Sequence, residues 1–359
     1  MSFDLAIIGG GPAGTAAAIT AARFGSRVLL MERGRFPRHK VCGEFISPEG
    51  VALLAGLGLG DLIARAPRVG RTRIFAPSST AEAELSPPAA AISRYELDEA
   101  LWQRAVAAGA DCREQVEARV IKGSGPFEIE TSAGDFTARA VLNASGRWSN
   151  LRRSGLAQQQ QEKWVGWKAH FREADPPASV DLYFFSGGYC GVQPLAGGHV
   201  NACAMVRAIG ANSMDQVLRL HPRLSERSLG WQQVSEAVAT SPLIFAAPQA
   251  EENGVLFAGD AAGFIDPFVG DGISLALRSG MMAASAVAEN DSVTGAAAIY
   301  RVQYERQLRP LFRNAGWLRR LASTPRALHR PVMALLRSPR VTSFLVRKTR
   351  GGARCCKRL

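Results

Sequence analysis

The sequence predicts an α/β protein with two sheets and a helical tail. One sheet is parallel and assembled from distant stretches of chain, and the other is antiparallel. Three stretches carry the prediction. "DLAIIGGGPAGTAAAITAARFGSRVLLMERG" reads as strand, glycine turn, helix, strand. "GVLFAGDAAGFIDPFVGDGISLALRSGMMAA", about 240 residues later, again joins a strand to a glycine-opened helix. "DLYFFSGGYCGVQPLAGGHVNACAMV" separates short apolar runs by glycine turns, the signature of antiparallel strands.

In the first stretch Leu5 to Ile8 form a short apolar run, as a strand buried on both faces requires. Gly9, Gly11 and Gly14 make G-x-G-x-x-G. The first permits a tight turn, the second lets a pyrophosphate approach the backbone, and the third lets helix and strand pack closely. Ala16, Ala17, Ala18, Ala21 and Ala22 suit close sheet contact, and the positive helix N-terminus faces the phosphates. Val28 to Met31 form the second strand. Glu32 ends it, 18 residues after Gly14 and just before Arg33, placed to accept hydrogen bonds from ribose hydroxyls. The unit is Rossmann-like. A carboxylate there disfavours a 2′-phosphate, so FAD or NAD is expected rather than NADP.

The second stretch chooses FAD. Val255 to Ala258 form a strand ended by Gly259 and Asp260. A loop reaches Pro267, then Gly270-Asp271-Gly272 opens a helix from Ile273 to about Val287. NAD needs no distant second carboxylate, whereas the ribityl chain of FAD offers hydroxyls that Asp260 can accept. The helix start at Gly272-Ile273 can face the N1/O2 edge of the flavin, where reduction places negative charge. A third piece agrees: "ISRYELDEALWQRAVAAGADCREQVEARV" has Arg94, Leu97, Asp98 and Leu101 at helical spacing, with a strand near Val116. "RAVLNASGRWSNLRR" then brings a strand to a glycine turn.

The motifs "GGGPAG", "KVCGE", "SRYELDEAL", "NASGRWS", "GGYCGVQPLAGGHVN", "AGDAAGFIDPFVGDGI" and "YERQLRP" occur in this order over about 300 residues. With them the chain resembles flavoproteins of the p-hydroxybenzoate hydroxylase fold, and more narrowly the geranylgeranyl reductase-like FAD-dependent oxidoreductases. The resemblance implies FAD contacts at Ala13, Glu32, Cys42, Gly43, Arg94, Val116, Asp260, Gly272 and Ile273. Geranylgeranyl reductases usually carry Glu where this chain has Asp271. The fold also hosts aromatic hydroxylases and halogenases, so fold alone does not choose the reaction.

In such proteins the FAD domain is discontinuous, here expected at residues 1–75, 95–150 and 250–298. The substrate domain would take 76–94 and 151–249, with strands at Leu182 to Phe185, Gly191 to Pro194 and Val200 to Val206. "PSSTAEAELSPPAAAI" and "LAQQQQEK" read as loops or strand connectors. A basic, amphipathic tail follows over 299–359, expected as short helices broken near Pro310, Pro325, Pro331 and Pro339.

Flavin supplies the redox chemistry, so the residues of interest are those that can face its ring. Three segments can converge there: Cys42 to Ser47, Gly187 to Val192, and Pro267 to Gly272. Cys42 is either a small packed residue or part of the flavin site. Nearby Arg38 and Lys40 would lower its pKa, and the resemblance puts this Cys-Gly pair beside the isoalloxazine. A positional or redox-tuning role is expected ahead of proton donation. Glu44 is an acid/base candidate or a partner of Lys40, with pairing favoured. Tyr189 either presents its phenol to substrate or fills a core, as does its neighbour Cys190. "WVGWKAHF" reads as a half-buried strand with His170 structural and Trp164 and Trp167 at a sheet interface. Arg147 either meets the FAD phosphates or pairs with an acid.

Composition bounds the rest. The 359 residues, 47% apolar, suffice for two cores. No uninterrupted apolar run of about 18 residues appears, and the start on a strand pattern suggests no export signal, so a cytoplasmic location is expected. The six cysteines fit no zinc spacing, and no metal is expected. The net charge of +12 lies in the tail: residues 301–359 hold 16 Lys and Arg against one acid, leaving 27 against 30 in the remainder. Its interleaved apolar residues suit an anionic membrane surface or a docking face rather than nucleic acid. No second G-x-G-x-x-G appears, so NAD(P)H would visit as a transient reductant, or an electron-donor protein would serve.

The leading functional expectation is a flavin-dependent reductase or dehydrogenase acting on C–C bonds of an apolar substrate, isoprenoid or polyketide-like. The alternatives are a monooxygenase and, last, a halogenase. Halogenases carry Trp-x-Trp-x-Ile-Pro, whereas two residues separate Trp164 from Trp167 here and Lys168-Ala169 follow.

Overall fold

The computed structural model describes residues 2–76, 79–147, 151, 163–243, 245, 247–267 and 270–322. In chain order come β1 (Ser2–Ile8), α1 (Pro12–Arg23), β2 (Val28–Glu32), β3 (Phe45–Ile46), α2 (Pro48–Gly56), α3 (Gly60–Arg65), β4 (Arg68–Ala76) and β5 (Ser79–Ala91). Next are α4 (Arg94–Ala107), β6 (Asp111–Glu114), β7 (Ala118–Lys122), β8 (Phe127–Thr131), β9 (Phe136–Asn143), β10 (Trp164–Arg172), β11 (Ser179–Phe185), β12 (Gly188–Leu195) and β13 (His199–Arg207). Then follow α5 (Met214–Leu218), α6 (Pro222–Arg227), β14 (Gln232–Gln233), β15 (Val238–Thr240), β16 (Glu251–Glu252), β17 (Val255–Phe257), α7 (Gly272–Ala288), α8 (Val293–Gln307) and α9 (Arg309–Ala322).

The first sheet runs β16-β17-β9-β1-β2-β6, with β8 on β9 and β7 on β8. β17, β9, β1, β2 and β6 are mutually parallel. The apolar β1 run is buried, with α1 packed on β1 and β2 and α7 packed on α1. Those helices touch backbone to backbone: a Cβ at Gly280 would stand 2.0 Å from the Ala13 carbonyl oxygen. Arg139 on β9 holds the end of α7, donating to the Val287 and Asn290 carbonyls at 2.9 and 2.7 Å. The Tyr300 hydroxyl on α8 donates to the Phe257 carbonyl at 2.6 Å.

The second sheet runs β14-β10-β13-β12-β11-β4-β5-β3, with β15 on β10. It draws on residues before 76, where the sequence reading began the substrate domain: β4 and β3 both belong to it. "STAEAELSPPAAA" is a strand, β5, and not a connector. Its prolines are tolerated because the pairing with β4 slips between Val69 and Arg71, so Pro87 and Pro88 fall where the ladder is interrupted. β11, β12 and β13 fall on the glycine-separated apolar runs, but the sheet is not wholly antiparallel as expected, because β11 pairs parallel with β4.

The strand expected near Val116 is present on either side of it: Val116 lies between β6 and β7, its N–H donating to the Glu32 carbonyl at 3.0 Å. The helix break expected near Pro310 falls at Leu308, and Pro310 itself sits in the first turn of α9, where its missing N–H costs nothing. Residues 156–162, Pro325, Pro331 and Pro339 lie outside the described residues.

Candidate functional site

The glycine turn after β1 has the close contacts its sequence implies. Gly9 takes φ +107°, and a Cβ at Gly14 would stand 1.9 Å from the Gly9 carbonyl oxygen. Gly11 caps α1 with no side-chain bond to the free N–H groups. Two cations stand in front of it: a Cβ at Gly11 would lie 3.9 Å from Arg94 Nη2 and 4.0 Å from Lys40 Nζ. The sequence-predicted Arg94 therefore meets the glycine turn before α1. Arg94 and Lys40 are both tied to Asp98, which is fully buried: Arg94 donates two bonds of 2.7 Å and Lys40 one contact of 2.9 Å. Burial disfavours the Asp98 anion, but Arg94 and Lys40 outweigh it and its pKa falls.

Glu32 is buried at the end of β2. Its carboxylate accepts from the N–H groups of Gly10 and Gly34, each at 2.9 Å, and from Arg38 at 2.7 Å. Burial opposes its ionisation, yet Lys40, Arg38 and the two N–H groups bring its pKa down. Arg33 is exposed; Arg38 is the guanidinium on this carboxylate.

The second half of the site comes from the far end of the chain. Gly259 takes φ +60°, its N–H donates to Ser279 Oγ at 2.9 Å, and a Cβ there would reach 3.0 Å from Ala13 Cβ. That contact places Asp260 beside the start of α1. No described residue donates a hydrogen bond to the Asp260 carboxylate, and burial raises its pKa against the pull of Arg147 and Arg94. Arg147 lies over the Phe264 ring at 4.3 Å, with its buried Nη1 unpartnered among the described residues. Pro267 is exposed, whereas Gly270, at φ +69°, sits against Phe45. α7 opens at Gly272, with buried Ile273 next and no side-chain cap from Asp271. Asp271 is instead bonded by Ser47 Oγ at 2.8 Å, which also meets Ser274 Oγ at 2.7 Å. The Cys42–Ser47 and Pro267–Gly272 segments thus converge as expected.

These residues fit FAD. An uncapped helix start facing two cations suits a pyrophosphate. Glu32 retains acceptor capacity for ribose, and Asp260 offers a half-buried carboxylate in want of a hydroxyl. A Cβ at Gly43 meets nothing within 4 Å, so open space borders the Cys42–Gly43 pair.

The second sheet meets this loop with one face, fixed by strand register. Lys168, Cys203 and Gly191 lie in one row, His170, Asn201 and Gln193 in the next, and Gly166, Met205, Tyr189 and Phe184 in a third. Asn201 Nδ2 donates to the Cys42 and Gly43 carbonyls at 3.1 and 2.9 Å. Glu44, at φ +59° and fully buried, receives Lys168 Nζ at 2.8 Å, His170 Nε2 at 2.7 Å and the Arg94 N–H at 2.8 Å. Burial works against the Glu44 anion, but His170 and Lys168 prevail and lower its pKa. The expected Glu44–Lys40 pair does not form, because Lys40 turns to Asp98.

Cys42 does not have the lowered pKa its basic flank suggested. Burial pushes the thiol up, overriding Arg94 and the Glu44 N–H that reaches its sulfur at 3.3 Å. Tyr189 and Cys190 part company. Tyr189 faces the site in an apolar strip with Trp164, Leu182, Phe184, Met205, Leu243, Phe245 and Phe264, and burial raises its phenol pKa well above normal. Cys190 points to the opposite face, into the core beneath α5 and α6, its pKa pushed up to about 12 by burial. Trp167 packs on that outer face also. Sequence reasoning missed Lys168 and Asn201 and gave His170 no partner. The strand alternation of "WVGWKAHF" put Lys168 and His170 on one face, but nothing marked it as the buried one.

Comparison with known proteins agrees with this geometry. Residues 2–311 match the family model described as FAD binding domain. The chain belongs to that FAD-binding family. It is a flavoprotein oxidoreductase. It is 29% identical to digeranylgeranylglycerophospholipid reductase 2 of Methanopyrus kandleri, over 88% of this chain and 85% of that one. It is 28% identical to the menaquinone reductase of Mycobacterium tuberculosis, over 81% and 78%. Its fold matches a flavin-dependent brominase with a TM-score of 0.81 at 19% identity, over 99% of this chain and 94% of that one. That identity shows shared fold alone, and so does not choose the reaction. No helix among the described residues is long and apolar enough to cross a membrane.

Proposed function

We propose that this FAD-dependent oxidoreductase reduces or dehydrogenates C–C bonds of an apolar substrate, isoprenoid or polyketide-like. The observation that carries the reading is the apolar strip from Trp164 to Phe264, lying on the sheet face that also bears the Cys42–Glu44 turn. The names of the two reductase relatives support it.

Bound FAD supplies or takes the hydride at N5; the residues of this chain do the rest. The apolar strip excludes water and holds the substrate chain. Reduction of C=C to CH–CH needs one hydride and one proton. Cys42, bordered by the open space at Gly43, is the thiol placed to give that proton, while Tyr189 stands in the apolar strip. Electrons come from NAD(P)H or from an electron-donor protein. The basic tail docks the molecule on an anionic membrane surface where such substrates dissolve; its charge of 16 basic residues against one acid supports this.

The test is anaerobic. Photoreduced protein is mixed with geranylgeraniol, and flavin absorbance is followed. Reoxidation by the alkene, with a saturated product, supports the reading. Reoxidation only by O₂, with a hydroxylated product, replaces it with a monooxygenase. Turnover that requires halide replaces it with a halogenase.

A further inference from the structure

Lys168 is the only lysine buried among the described residues, and it faces a fully buried carboxylate. Such a pair is costly to bury and is retained where it fixes a geometry. Here its two halves belong to different parts of the fold. Glu44 sits in a turn between β2 and β3, while Lys168 and His170 come from β10, next to the edge of the second sheet. The turn holds a conformation that a glutamate adopts at a cost, φ +59°. Its carboxylate is bound from three directions: Lys168 and His170 on one oxygen each, and the Arg94 N–H on the oxygen that Lys168 uses. His39, partly exposed, closes the group: Lys168 Nζ lies 3.3 Å from His39 Nδ1, and the His39 and His170 rings are 5.0 Å apart. The Glu44 N–H in turn reaches Cys42 Sγ.

We propose that Lys168, assisted by His170, is a positioning residue. It keeps Glu44 an anion inside the protein, Glu44 holds the turn in its left-handed conformation, and the turn fixes where the Cys42 thiol stands. The proposal rests on the functional reading only for the use of that thiol. The chain of contacts from Lys168 to Cys42 is independent of substrate, and so is the test.

The experiment measures alkylation of Cys42 by N-ethylmaleimide in the FAD-loaded protein, by peptide mass spectrometry. Cys190, buried under α5 and α6, is the internal control. Removing Lys168 alone leaves an uncompensated buried charge, so Lys168→Met should release the turn and label Cys42 about tenfold faster or more, with Cys190 unchanged. Adding Glu44→Gln removes the charge while leaving an amide for His170 and the Arg94 N–H. The double variant should return Cys42 to within about threefold of wild type. Labelling of folded Lys168→Met at the wild-type rate overturns the proposal. So does a double variant that labels as fast as the single one, because the control would then be packing and not charge. If Lys168→Met does not fold, the double variant decides: folding with a protected Cys42 supports the proposal, and failure to fold overturns it.

Discussion

Substituting Gly280 by alanine should separate two halves of the cofactor site with a single methyl group. In an open helix this change would stabilise by about 1 kcal/mol, since glycine is the poorer helix former. Here the new Cβ would stand 2.0 Å from the Ala13 carbonyl oxygen and 2.8 Å from its carbon, both backbone atoms that cannot swing aside. Ordinary contact begins at 3.4 Å, so α7 must retreat from α1 by roughly 1.4 Å. Overpacking of this kind costs about 1–3 kcal/mol, which offsets the propensity gain and leaves a net loss of up to about 2 kcal/mol. The melting temperature should therefore fall by up to about 4 °C. The displacement also moves Gly259 and Asp260 away from the start of α1, so flavin retained through gel filtration should fall more than stability does. The assay is thermal unfolding followed by the rise of flavin fluorescence, alongside the ratio of visible to protein absorbance. A Gly280→Ala protein with full flavin content and an unchanged or higher melting temperature would refute the close-approach argument.

Asp260→Asn should weaken FAD about tenfold in fluorescence titration while stabilising the apoprotein at pH 7. The folded carboxylate has a raised pKa, so its charge opposes folding above its unfolded value. Glu32, Glu44 and Asp98 act in the other sense. Their folded pKa values are lowered, so their stabilisation is complete above about pH 4–5 and is lost as pH falls through the folded values. Urea unfolding between pH 6 and 3 should show this loss. Cys42→Ala should slow alkene-driven flavin reoxidation about a hundredfold with flavin content unchanged; equal rates would remove the thiol from proton delivery.

The cofactor half was readable because its constraints are local. A tight turn needs Gly9, a close helix needs Gly14, and Glu32 follows at the end of a strand; each lies within one short unit. The nearness of Asp260 to the first helix was readable only by asking what a ribityl chain would need. The Glu44 partners were not, since Lys168 and His170 are 124 and 126 residues away, and lysine is ordinarily an exposed residue. The basic flank of Cys42 misled for the same reason: Lys40, two residues off, spends its charge on Asp98, and burial then decides the thiol. β5 was hidden by Pro87 and Pro88, which read as loop until the interrupted ladder of β4 shows where they fall.

The packing of α1 on α7 has a consequence for synthesis. The first helix leaves the ribosome about 250 residues before its partner, with its alanine-rich side unclad throughout that interval. A flavin site built from both ends of the sheet is complete only once its last strand and helix arrive, and a chain truncated before residue 272 should emerge colourless.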